Sequence, residues 1–148
     1  MNNCKTILVV EDDPCIGDVL KDVLEMEGYT VSIAVNGIDA LNLLKHEHDF
    51  SLILLDLSLP DMTGYEFLKK MNKDPSSGEV PVVLCSAASD LKQIELPHGA
   101  VSIIPKPFKI EDLFSTVKTF ARTSDSIKIG LKINLEKKSS DVNLHHSG

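Results

Sequence analysis

Long apolar runs are missing from this sequence. The longest, such as Leu52–Leu55, are far too short to cross a bilayer. The first residues also lack the basic patch and extended apolar stretch of a secretory signal, so the expected location is the cytoplasm, with no membrane partner. Cysteine is scarce: Cys4, Cys15 and Cys85 are odd in number, and their spacing matches no metal pattern. Cys4 and Cys85 lie in or beside apolar runs, where a thiol serves as a small core residue. A basic stripe is missing as well. Residues 1–122 carry 11 Lys and Arg against 19 Asp and Glu, residues 123–148 carry 4 against 3, and the net charge is −7. Phosphate neutralisation dominates nucleic-acid affinity, so no nucleic-acid partner is expected. Neither a P-loop nor a Gly-x-Gly-x-x-Gly is present, which removes the usual Gly-rich cradles for nucleotides.

What is present is a chain of 148 residues, 43% hydrophobic and 25% charged, enough for one compact domain with a real core and a tail. Five short apolar runs, Thr6–Val10, Thr30–Val35, Phe50–Leu57, Val80–Ala87 and Val101–Ile104, alternate with helix-period segments. Ile7–Val10, Leu52–Leu55 and Val82–Leu84 are apolar at every residue, as strands covered on both faces are; that implies a parallel sheet between helices. The first helix begins near Pro14 with Asp13 as its cap, carries Ile16, Val19, Leu20, Val23 and Leu24 inward, and stops at Gly28. A second follows Asn36-Gly37 with Leu41 and Leu44 inward, and a third spans about Gly64 to Asn72 with Leu68 and Met71. A short fourth falls between Ser89 and Leu96, and the last opens after Pro107 with Ile110, Leu113, Phe114 and Val117. The alternation predicts an α/β fold, doubly wound, over residues 1–122.

Residues 123–148 form a tail with no room for a second domain. Ile127, Ile129, Leu131, Ile133 and Leu135 alternate with polar residues, the period of a half-buried strand over 127–135, and the rest is expected to be disordered. A free strand of this kind would expose an apolar stripe, so it is expected to pair with a sheet edge or with a second copy in a homodimer.

Open parallel sheets bind ligands beyond the carboxyl ends of their strands. The first strand ends in Glu11-Asp12-Asp13, the third in Asp56, the fourth in Cys85-Ser86-Ala87, and the fifth leads to Lys106-Pro107-Phe108. Carboxylates, a hydroxyl and an ammonium therefore converge on one edge. Clustered carboxylates repel each other, and Mg²⁺, which takes oxygen ligands, relieves that repulsion. A carboxylate beside such a cation can attack a phosphoryl donor, with the Lys106 charge and a Ser86 hydrogen bond on the transferred oxygens.

The runs Ile7-Leu8-Val9-Val10-Glu11-Asp12-Asp13-Pro14, Leu54-Leu55-Asp56-Leu57-Ser58-Leu59-Pro60-Asp61-Met62-Thr63-Gly64, Cys85-Ser86-Ala87 and Lys106-Pro107-Phe108 resemble, in order and spacing, the receiver domains of two-component response regulators, the chemotaxis-regulator kind included. The resemblance covers residues 4–122. It implies a flavodoxin-like sheet of five parallel strands in order 2-1-3-4-5 with five helices on both faces. It implies Asp56 as phospho-acceptor. Asp12 and Asp56 would be direct Mg²⁺ ligands, with Glu11 acting through water and Ser58 through its backbone carbonyl. Ser86 would be the switch hydroxyl and Lys106 the phosphate-pairing lysine. The implied activity is that of a phosphorylation-dependent signalling switch. Its donor is a histidine kinase or a histidine phosphotransfer protein, and its only chemistry is self-phosphorylation and autodephosphorylation.

Two departures stand out. Ile103 holds the position three before the lysine, where the family usually places an aromatic switch residue, and the stretch from Ser86 to Gly99 is shorter than usual. They favour an alternative, a receiver-fold interaction module that works without phosphorylation; retention of Glu11, Asp12, Asp56, Ser86 and Lys106 favours the switch. An aspartyl phosphatase would want a second acid two residues after the nucleophile, where Ser58 stands. Asp13 reads as a helix cap, and Asp61 and Glu66 read as surface charges without chemistry.

Overall fold

The computed structural model describes residues 5–47, 49–75, 77, 79–87 and 96–121. Five parallel strands, β1 (Thr6–Val10), β2 (Thr30–Ala34), β3 (Phe50–Asp56), β4 (Val82–Ala87) and β5 (Ala100–Lys106), form one sheet in the order β2-β1-β3-β4-β5. Four described helices join or follow them: α1 (Pro14–Met26), α2 (Gly37–His46), α3 (Gly64–Asn72) and α4 (Ile110–Phe120). The expected helix around residues 89–96 and the strand over 127–135 lie outside the described residues, as does Cys4.

The sheet is buried on both sides. Leu8, Val10, Ile53, Leu55, Val82 and Leu84 pack with Ala40 and Leu44 of α2 and with Phe67, Leu68 and Met71 of α3. Ile7, Val9, Leu52, Leu54, Val83 and Ile104 pack with Leu20 and Leu24 of α1 and with Leu113 and Val117 of α4. Successive strand residues point to opposite faces, so a strand covered twice must be apolar throughout. All seven residues of β3 are buried.

Several expected details differ. Val19 is 60% exposed; it lies one residue step, about 100°, round the helix from buried Leu20 and outside the stripe that reaches the sheet. Ile110 is half exposed because it opens α4 at the helix end, and Phe114 is only partly buried. β5 runs on through Pro105 to Lys106; as an edge strand bonded only to β4 it tolerates a residue without an N–H. Asp13 caps α1 as expected, accepting from Cys15 N at 2.9 Å.

The start of α2 is capped from two sides. Asn36 accepts the Asp39 N–H at 2.8 Å, while Asp61, from the loop after β3, accepts the N–H groups of Gly37 and Ile38, each at 2.9 Å. The first N–H groups of a helix have no partner inside it, and a carboxylate there also meets the positive end of the helix dipole. These bonds hold the Asp61 carboxyl below the usual range, the Gly37 N–H contributing most. Asp61 therefore contributes stability above its unfolded pKa, near about 4, and that contribution fades as acid protonates the folded carboxylate. The melting-temperature difference between the wild type and Asp61→Asn is expected at neutral pH and shrinks on titration below about pH 4; a difference that grows in acid contradicts the cap.

Two glycines test the packing with opposite signs. A Cβ on Gly64 would come within 2.8 Å of Leu57 Cδ2 and 3.0 Å of Leu57 Cα, so α3 would have to back away from β3. Gly64→Ala is expected to destabilise by about 1–3 kcal/mol in urea titration. A Cβ on Gly17 meets only Ile33 side-chain atoms at 3.6 Å or more. Gly17→Ala is expected to stabilise α1 by about 0.5–1 kcal/mol in the same measurement.

Candidate functional site

The carboxyl ends of β1, β3, β4 and β5 open into a cleft of about 370 Å³, lined by Glu11, Asp12, Asp56, Ser58, Ser86 and Lys106 among others. Each arrives by its strand. Glu11 extends the β1–β2 ladder by one bond, its N–H donating to Ala34 O at 3.0 Å, and Asp12 follows it into solvent. Asp56 ends β3 and Ser86 is the penultimate residue of β4, opposite Pro105. Lys106 ends β5. The sequence-predicted acids, hydroxyl and ammonium thus share one rim. Ile103 does not line this cleft. It pairs in register with Leu84 and packs against the cluster beneath α2 and α3.

Glu11 and Asp56 are 3% and 7% exposed, unusual for carboxylates, and both are bridged by one ammonium. Lys106 Nζ lies 2.9 Å from Glu11 Oε2 and 3.1 Å from Asp56 Oδ2. The other Asp56 oxygen accepts the Ser58 N–H at 3.0 Å, and Glu11 Oε1 accepts the Asp13 N–H at 3.3 Å. Burial pushes the Glu11 carboxyl up; the Lys106 hydrogen bond opposes it, the Asp56 charge adds to it, and the net shift is upward. Burial acts to lower the Lys106 pKa, but the two carboxylates outweigh it and stabilise the ammonium. Ser86 is buried, and its hydroxyl donates to the Ala87 carbonyl at 3.4 Å. Burial also pushes the neighbouring Cys85 thiol up to about 12, so it behaves as a core residue rather than a nucleophile.

One oxygen each from Glu11, Asp12 and Asp56 lie within 4.8 Å of one another. Three carboxylates against one ammonium leave a formal surplus of two negative charges, and every donor is a hard oxygen. That set fits a divalent cation that keeps some of its water, as Mg²⁺ does.

Asp61 was legible only as a surface charge. Its partners are 24 and 23 residues away, and no local pattern announces them. Thr63 caps α3, its Oγ1 accepting the Glu66 N–H at 3.1 Å and donating to Glu66 Oε1 at 3.4 Å; the Thr-x-x-Glu spacing was the available signal.

The fold and this cleft define a receiver. Residues 7–118 match the response regulator receiver domain family, and the chain belongs to it. An uncharacterized transcriptional regulatory protein of Bacillus subtilis, YkoG, is 39% identical over 118 residues, 78% of this chain and 50% of that protein. The transcriptional regulatory protein CpxR of Escherichia coli K12 is 36% identical over 80% of this chain and 50% of its own length. The chain thus spans about half the length of these curated relatives. The receiver domain of sensor histidine kinase PA1611 from Pseudomonas aeruginosa, solved with magnesium coordinated in its active site cleft, superposes with a TM-score of 0.72 at 27% identity, covering 79% of this chain and 97% of that one. Among the described residues, no helix is long and apolar enough to cross a membrane.

The charge balance predicts opposite effects in chelator-treated protein. Lys106→Met strands two buried carboxylates and is expected to cost about 3 kcal/mol, the low end for breaking a buried pair because the ammonium is partly exposed. Asp56→Asn removes one of three mutually repelling acids and is expected to stabilise the metal-free protein, a gain that added Mg²⁺ erases by stabilising the wild type. Chemical denaturation with and without Mg²⁺ checks both signs.

Proposed function

We propose that this receiver is a phosphorylation-dependent signalling switch of the cytoplasm, accepting a phosphoryl group on Asp56 from a histidine kinase or histidine phosphotransfer protein. The supporting observation is the placement of Asp56: a buried carboxylate at the end of the central strand, within reach of one cation and two further acids. Asp12 and Asp56 would ligate Mg²⁺ directly, Glu11 through water, and Ser58 through its carbonyl. When bound, the ion offsets charge on the transferred phosphoryl oxygens.

An Asp56 oxygen forms the new P–O bond as the P–N bond to the donor imidazole breaks, and the imidazole leaves with a proton. The Ser58 N–H and Lys106 orient the carboxylate before attack. Lys106 then pairs with the phosphoryl oxygens, and the Ser86 hydroxyl donates to one of them, biasing a two-state equilibrium. Ala87, small and exposed at the rim, leaves that approach open. The chain turns over no separate substrate; its chemistry is its own phosphorylation and dephosphorylation.

Incubation with acetyl phosphate and Mg²⁺, read by intact mass, is expected to give one phosphoryl adduct in the wild type and none in Asp56→Asn. Absence of an adduct together with absence of Mg²⁺ binding would leave the phosphorylation-independent interaction module as the reading.

A further inference from the structure

Residues 57–63 connect the end of β3 to α3 and carry Ser58 into the cleft. The base of this loop is closed. Gly64 N–H donates to Leu57 O at 2.9 Å, Ser58 and Thr63 form an antiparallel bridge, and Leu57 N–H donates to Cys85 O at 3.1 Å. The tip is anchored elsewhere. Asp61 accepts the first two N–H groups of α2, and the neighbouring Met62 is buried so closely against Gly37 that a Cβ there would lie 2.5 Å from its sulfur. One end of the loop therefore touches the carboxylate chemistry, where the Ser58 N–H holds Asp56 Oδ1, and the other end grips a helix.

Asp61 itself is exposed and fills no core position. Its carboxylate uses both oxygens on α2, so its role is directional. With Asn36 on the Asp39 N–H, and the Ala40 N–H on Asn36 O at 3.2 Å, the first turn of α2 is fully satisfied only while the loop tip stays docked. The geometry points to Asp61 as a positioning residue for the phosphoryl site: by clamping the loop tip to α2 it holds Ser58 at the angle the metal and Asp56 require. This inference rests on the proposed role of the cleft.

Outer partners of a metal site hold its ligands in place, and their loss lowers metal affinity by about 10–100-fold. Asp61→Ala is expected to weaken Mg²⁺ binding by about 10-fold in isothermal titration, at the low end of that range because Asp61 acts through the loop and touches no ligand itself. Adduct formation with acetyl phosphate should slow at low Mg²⁺ and recover at saturating Mg²⁺. Asp61→Asn keeps one acceptor and should restore part of the affinity. A merely structural cap would lower the melting temperature and leave Mg²⁺ affinity within about twofold of the wild type; that outcome overturns the inference. Amide exchange in metal-free protein keeps the two readings separable. In Asp61→Ala the Ser58, Thr63 and Gly64 amides should exchange faster, along with Gly37 and Ile38. If the wild type neither binds Mg²⁺ nor forms an adduct, the functional reading fails by itself; unchanged exchange at Ser58, Thr63 and Gly64 removes the clamp whatever the metal does.

Discussion

β3 is the constraint on which the site depends. It lies in the middle of the sheet, flanked by β1 and β4, and every one of its residues from Phe50 to Asp56 is buried. Burial of an aliphatic side chain contributes roughly 1.5–3 kcal/mol, so Ile53 and Leu55 against α2 and α3, with Leu52 and Leu54 against α1 and α4, leave this strand no alternative register. A one-residue slip would draw Asp56 in from the rim or push Leu55 out to it, away from the groups that meet each one. The position of Asp56 follows from that rigidity, because it is the next step of a strand that cannot move. A carboxylate so placed is costly unless charge and hydrogen bonds meet it, and Lys106 and the Ser58 N–H do so.

The same reasoning extends to the charge surplus. Glu11 and Asp56 share one ammonium, and Asp12 stands beside them in solvent. Packing energy from the strands holds these like charges together, since neither Glu11 nor Asp56 can withdraw without unpairing the end of its strand. The repulsion is thus stored where a divalent cation could relieve it. A fold stabilised elsewhere tolerates a strained functional edge, and this sheet has two apolar cores to offset one acidic rim.

Most of the fold was legible because parallel strands covered on both sides leave a blunt signature. Ile7–Val10, Leu52–Leu55 and Val82–Leu84 could hardly be anything else, and the helix stripes between them led to the observed sheet order through the receiver resemblance. The site acids were legible for the same reason, since each stands where an apolar run ends. Other features had no local signature. That β5 continues through Pro105 depends on its place at the sheet edge, and the exposure of Val19 depends on which part of α1 meets the sheet. The double bond of Lys106 to Glu11 and Asp56 depends on distances that spacing does not encode. Asp61 resembled any turn carboxylate because its partners lie in another element.

The distribution of order around the cleft follows from these attachments. Asp56 and Ser86 belong to strands, Ser58 sits in a loop closed at its base and docked at its tip, and Glu11 is still bonded to β2. Ordering these groups costs little beyond what folding has already fixed. Asp12 is exposed and Lys106 ends a long flexible stem, so side-chain entropy lost on loading the site falls mainly on them, up to about 2 kcal/mol for a lysine. Lys106 has already lost part of that freedom to its two carboxylates. The ammonium is therefore already ordered at the rim, and Asp12 is the acid there with the most conformational freedom left to lose.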